Sequence, residues 1–325
     1  MKIDVHTHLA GVGSGGSGCW VSPKFRRSFM FRALGRIHGM RPDSPTGDAE
    51  WAARLAAHVR GSEMDRAVAL GFDAVCDASG EPDLARSQMV IPAGWVFRVC
   101  REHPELLPGP SVNPARRDAL DRLEECIENG AVLLKWLPAT QGIDPADPAH
   151  RPFYRRMADA GLPLLVHSGG SENTFAEVDP GLKDLAKIRL PLCEGVPVIV
   201  AHLAAPVPFR RDPDQTPLLR ALMAEFPHLW TDNSGMNNPA RSATLGRLAA
   251  DPELAARTLH GSDFPVPSSP VWHIRRLGAR RVAELRRIRN PLQREVAIKR
   301  ALGTPDEVLA RAAAVLPNIG GSRRS

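Results

Sequence analysis

Short apolar runs alternate with amphipathic stretches along most of the chain. IDVHTH (3–8) reads as a strand, WAARLAAHVRGSEM (51–64) as a helix and DRAVALGF (65–72) as a strand. Residues 104–114 hold a further short strand, and ALDRLEECIENG (119–130) has apolar residues at helical spacing before an Asn-Gly stop. AVLLKWLP (131–138) is a strand closed by proline, FYRRMADAG (153–161) a helix stopped by glycine. LPLLVHSG (162–169) and VPVIVAHLA (196–204) are nearly continuous apolar runs, as strands buried on both faces require. A helix (216–226), a strand (228–234) and a helix–strand unit (251–265) complete the series. About eight strands, each followed by a helix or long loop, predict an α/β fold closed as a (β/α)8 TIM barrel.

Two stretches stand outside this alternation. AGVGSGGSGCW (10–20) is Gly/Ser-rich and follows the first strand, so a site loop or lid is expected there. SPKFRRSFMFRALGRIHGM (22–40) mixes apolar residues and arginine at helical spacing. The expected organisation is a single domain over 1–319, ending in a basic helical segment (271–319), with 320–325 (GGSRRS) as a disordered tail.

Composition changes the picture little. The 325 residues are 43% hydrophobic and 24% charged, which excludes a disordered or fibrous chain. No apolar run is long enough to span a membrane, and Asp4 and His6 interrupt the N-terminus where a signal peptide needs an apolar stretch. Five scattered cysteines without a C-x-x-C pair read as reduced thiols, so a cytoplasmic protein is expected. The net charge of +6 suggests nucleic acid or an anionic surface only until it is mapped. Residues 271–325 carry 13 Lys/Arg against 4 Asp/Glu, so the body of the chain is slightly acidic and neither nucleic acid nor membrane is an expected partner. Only six of the 42 basic residues are lysine, and one of the six, Lys135, falls at a strand end.

The candidate chemistry clusters at those ends. His6 and His8 lie two apart on the first strand, so period-two geometry puts them on one face. Lys135 follows AVLL, His167 follows LPLLV, His202 follows VPVIVA, and Asp263 follows TLHGS. Five strands thus bring a polar residue of ligand or catalytic type to the C-terminal end, which in an α/β barrel is the active-site face. Imidazoles with a carboxylate suit Zn²⁺, with Mn²⁺, Fe²⁺ or Co²⁺ as other occupants. Trp20 and Trp136 are expected on loops near the site, covering an apolar substrate, and Asn233 at the end of the seventh strand is expected to hydrogen-bond it.

This order of residues resembles the amidohydrolase superfamily, and within it the amidohydrolase-2 branch that includes the aminocarboxymuconate semialdehyde decarboxylase group. HPELLPGPSVNP, LLKWLPATQGIDP, LLVHSG, VIVAHLA and HGSDFP carry the resemblance, which spans nearly the whole chain. It implies a metal site of His6, His8, His167 and Asp263, with Asp263 moving a proton and His202 either holding a second ion or polarising the substrate. It further implies that Lys135 either carries a CO2-derived carbamate bridging two ions or remains an amine beside one. The expected activity is metal-dependent hydrolysis of a small amide, lactone or cyclic ester-like substrate. The alternative is non-oxidative decarboxylation or hydration of a small aromatic or unsaturated carboxylic acid on the same site. A barrel nuclease fits less well, since such enzymes typically carry glutamate rather than lysine on strand four. A homodimer is a family-level expectation.

Overall fold

The computed structural model describes residues 1–172, 174–210, 212–249 and 251–320. The tail expected to be disordered lies outside these residues from 321 onward. Eight parallel strands follow the chain: β1 (Ile3–His8), β2 (Arg66–Leu70), β3 (Leu106–Gly109), β4 (Leu134–Trp136), β5 (Leu164–Val166), β6 (Val198–Val200), β7 (Leu229–Asp232) and β8 (Thr258–Leu259). They pair in sequence order as two sheets, β1-β2-β3 and β4 to β8. Backbone hydrogen bonds bridge both seams. Val132 N donates to Pro108 O at 2.9 Å and Lys135 N to Pro110 O at 2.9 Å between β3 and β4. Val5 N reaches His260 O at 2.9 Å and His8 N reaches Phe264 O at 2.7 Å between β1 and the β8 end. The fold is the amphipathic logic of the sequence closed on itself: a TIM barrel.

The strand period of two divides the apolar residues into two layers. Leu133, Leu165 and Ile199 point inward and pack with Ile3, Val5 and Leu107 in one buried cluster. Their neighbours Leu134, Trp136, Leu164, Val166, Val198 and Val200 point outward into a larger cluster under the helices. Ala312 and Leu316 join the inner cluster, so the C-terminal segment plugs the barrel on the side where the strands begin. The basic segment preceding it is a solvated helix, with Arg275, Arg276, Arg280 and Arg281 all exposed.

Residues 22–40 form two helices over the barrel mouth, α1 (Pro23–Arg26) and α2 (Phe29–His38). Ser28 caps α2 by accepting from Phe31 N at 3.1 Å, and Gly39 ends it in the left-handed region, where a glycine carries no steric cost. The Gly/Ser-rich loop beneath is pinned by one carboxylate. Asp48 accepts from Val12 N, Gly13 N and the Ser17 hydroxyl at 2.6–3.0 Å. Expected as a site loop or lid, this stretch is a tethered loop whose Ala10 reaches the cavity lining.

Leu165 is fully buried at the centre of the inner layer. Leu165→Ala is expected to lower unfolding free energy by about 2–5 kcal/mol, read from urea denaturation.

Candidate metal centre

His6 and His8 end β1, Lys135 sits in β4, and His167, His202 and Asp263 follow β5, β6 and β8. All six line one cavity at the C-terminal ends of the strands. Five are buried, and His8 is partly exposed, its side chain 20% accessible. The rings of His6 and His202 stack at 5.0 Å, His6 and His8 meet edge-on at 5.0 Å, and His167 and His202 at 4.9 Å. Asp263 Oδ1 lies 3.3 Å from His8 Nε2 and 3.5 Å from His6 Nε2. One donor atom each of His6, His202 and Asp263 falls within 4.8 Å of the others. Among the described residues, four of the five non-glycine residues with positive φ are His202, Leu203, Ala204 and Asp263. This is a concentration of backbone strain at the site.

One buried carboxylate orients this set. Asp232, at the end of β7, accepts from His202 N at 2.9 Å and Ser234 N at 2.9 Å, and from the Ser234 hydroxyl, through Oδ1. Its Oδ2 lies 2.8 Å from His6 Nδ1. A carboxylate only accepts, so His6 carries its proton on Nδ1 and leaves the Nε2 lone pair facing the cavity. His202 Nδ1 lies 3.0 Å from the Ser234 carbonyl oxygen, which likewise only accepts, so the His202 Nε2 lone pair is also free. Asp4, beneath the site, accepts from His6 N at 3.1 Å and Ser262 N at 2.9 Å and so ties the two ligand-bearing segments together. Gly261 is required there, since a Cβ would stand 2.8 Å from His6 Cβ and 2.9 Å from Ser234 Cβ.

Burial sets the protonation states. It holds the His6 and His202 imidazoles well below their ordinary range, with Lys135 and Arg241 respectively adding to the effect. His167 is lowered to about 4, again chiefly by burial. These histidines are therefore neutral near pH 7 and ready to coordinate without first losing a proton. Lys135 is buried and its amine is lowered to about 8, with Nζ 3.2 Å from His6 Nε2. Neutral imidazoles, an adjacent carboxylate and lone pairs aimed inward fit a divalent transition metal.

The family model described as Amidohydrolase matches residues 3–311. The chain belongs to the amidohydrolase family. Amidohydrolases are generally metal-dependent enzymes, and His6, His202 and Asp263 form a group that could hold an ion. No match is found among curated proteins. Solved structures similar in fold include an uncharacterised TIM-barrel protein from Bordetella bronchiseptica (14% identity, covering 96% of this chain and 99% of that one, TM-score 0.57). An amidohydrolase from Burkholderia multivorans with bound HEPES is similar at 15% identity, 98% and 100% coverage and TM-score 0.56. A candidate 2-pyrone-4,6-dicarboxylic acid hydrolase from Pseudomonas putida is similar at 16% identity, 98% and 95% coverage and TM-score 0.53. At these identities the likeness is one of fold.

Three residues expected at the substrate lie elsewhere. Trp136 is not on a loop: it follows Lys135 on β4, so the alternation that turns Lys135 inward turns Trp136 outward. Its ring is fully buried against Phe153 and Tyr154, and its indole N–H donates to Val112 O at 2.8 Å. Trp20 is drawn into a two-residue antiparallel pair with Val90, outside the cavity lining. Asn233 Oδ1 accepts from Lys299 Nζ at 2.8 Å and Gly261 N at 3.3 Å, so it supports the barrel wall instead of facing substrate. Arg241 and Glu172, in contrast, line the cavity without having been anticipated. Their own loops contain no strand pattern to place them.

In this amidohydrolase, Asp232→Asn is expected to weaken metal binding about 10–100-fold with the fold retained, measured by competition with a chromogenic chelator. Eight histidines (6, 38, 58, 150, 167, 202, 260 and 273) are held below their ordinary value in the folded protein. The unfolded chain therefore binds more protons once the pH drops below about 6.5, and stability is lost as pH falls. Asp4, raised to about 7 by burial, and Asp73, also raised by burial, work in the opposite direction but are two groups against eight. The thermal midpoint of metal-free protein is expected to drop between about pH 7 and about pH 5, by calorimetry.

Proposed function

We propose that this amidohydrolase is a metal-dependent hydrolase of an amide, lactone or other cyclic ester-like bond in a small-molecule substrate, with Zn²⁺ as the resident ion. Mn²⁺, Fe²⁺ or Co²⁺ suit the same donors. The observation that carries this reading is the Asp263 carboxylate, 3.3–3.5 Å from the Nε2 atoms of His8 and His6 and open to the same cavity. When bound by His6, His8, His167 and Asp263, the ion supplies Lewis-acid polarisation and a more acidic water. Asp263 accepts the proton of the attacking water on a carboxylate oxygen and returns it to the leaving group. His202 offers Nε2 as a lone pair, so in its neutral form it acts as a ligand or proton acceptor; it donates to a substrate oxygen only after taking up a proton. Lys135 reaches the neutral amine that carbamate formation needs more readily than an ordinary lysine, since burial lowers its nitrogen to about 8, whereas an arginine there would stay protonated. Carboxylated, it adds an anionic oxygen donor for a second ion; as an amine, it hydrogen-bonds the first site.

A second reading, non-oxidative decarboxylation or hydration, is favoured by Arg241. This guanidinium is buried and lines the cavity. It donates through Nη2 to Ser171 O at 3.1 Å, and Nε has no partner among the described residues. A buried arginine with donors to spare is suited to a substrate carboxylate. A carboxylate-bearing lactone would satisfy both observations.

With metal supplied in saturating excess and its content verified, Asp263→Asn is expected to reduce turnover by about 10²–10⁴-fold; near-wild-type turnover would remove Asp263 from the proton path. Product analysis separates the reactions: ring-opened acid from a lactone and amide panel supports hydrolysis, and CO2 from an aromatic carboxylate panel supports the second reading. Intact mass after purification with bicarbonate reads Lys135, a gain of one CO2 with two ions per chain marking the carbamate form.

A further inference from the structure

The cavity above the metal centre is divided by chemistry. It encloses about 610 Å³. Its charged and ligand-type lining comes from strand ends and the loops that follow them. The lining contributed by residues 23–40 is wholly apolar. Met30, Leu34 and Ile37 share one face of α2 at i, i+4 and i+7 and point into the cavity, with Phe31 beside them. Arg26, Arg27, Arg32 and Arg36, interleaved in the same stretch, are all exposed and none lines the cavity. At the mouth the apolar wall continues onto the surface. Ile37 is 60% exposed, Phe209 69% and Trp272 49%, and all three also line the cavity. Such a rim costs free energy in water unless a ligand covers it.

We propose that the substrate of this site is amphipathic. A polar reacting end sits on the strand-end residues, and a hydrocarbon chain or extended apolar body lies along α2 and leaves between Ile37, Phe209 and Trp272. Residues 22–40 are then the specificity-determining element, selecting for apolar length. The volume falls in the range that encloses a drug-sized ligand, well above what a lone carboxylate or lactone ring fills. This inference rests on the metal-centre reading only for the position of the polar end.

Straight-chain alkyl hydroxamates provide the test, because their head group chelates a divalent ion while the chain length varies. Binding is measured by titration calorimetry from two to about ten carbons, on zinc-loaded protein and on chelator-treated protein. The affinity is expected to rise about fourfold per methylene over the middle of the series in both forms. The slope reads the apolar wall, and the offset between the two forms reads the metal. A slope without an offset therefore supports the amphipathic substrate while removing the metal reading. Leu34→Asp is expected to flatten the slope, and Ile37→Glu, at an exposed position that folding tolerates, to flatten it for the longer chains. Affinity independent of chain length, a slope unchanged in both variants, or no binding of the longest hydroxamates to either form would overturn the inference.

Discussion

The site depends on a carboxylate that neither faces the cavity nor is expected to touch substrate. Asp232 is completely buried, and every hydrogen bond it accepts fixes another part of the centre. Through His6 Nδ1 it sets the ring that ends β1; through His202 N it holds the left-handed turn after β6; through Ser234 it closes the turn after β7. A buried carboxylate without donors is costly, and Asp232 is satisfied by groups from three separate strand ends. The same bonds that compensate its burial assign the proton on His6 and leave a lone pair directed inward. The geometry of the candidate metal site and the local folding of β1, β6 and β7 therefore rest on the same bonds.

Strand alternation explains both what lines the site and what does not. Inside the barrel, Leu133 and Lys135 follow each other on one face of β4, as do Leu165 and His167 along β5. Hydrophobic layers support the polar layer from below, so the polar groups appear where the apolar run stops. The rule places His167 and Lys135 correctly and sends Trp136 into the helix layer. The outward face has no way to reach the substrate.

The charge of the protein divides along similar lines. Its arginines are mostly solvated, and those of α2 and the C-terminal helix stay outside the cavity. Two of the six lysines are buried: Lys135 within the centre, and Lys299, whose ammonium bonds Asn233 Oδ1 at 2.8 Å and Gly261 O at 2.5 Å. Lys299 thus fastens the ends of β7 and β8 from behind, while Asp4 fastens β1 to β8. The scarcity of lysine that drew attention to Lys135 held equally for Lys299, yet only the first followed an apolar strand.

Periodicity by itself located about eight strands and six polar residues near their ends, because each of these is a local property of spacing, and the unbroken apolar runs predict a parallel sheet. It also placed the amphipathic stretch 22–40 as helix. What only the tertiary structure decided are the relations between distant segments. Asp232 reaches His6 across 226 residues, and Arg241 enters the cavity from a loop with no pattern of its own. Asn233 turns to Lys299 instead of substrate, and α2 lays its apolar face over the centre. Barrel closure brings these partners together, and no window of sequence contains both members of such a pair. The local pattern therefore picked out the candidate residues, while closure decided which atoms face the cavity and which apolar surface surrounds them.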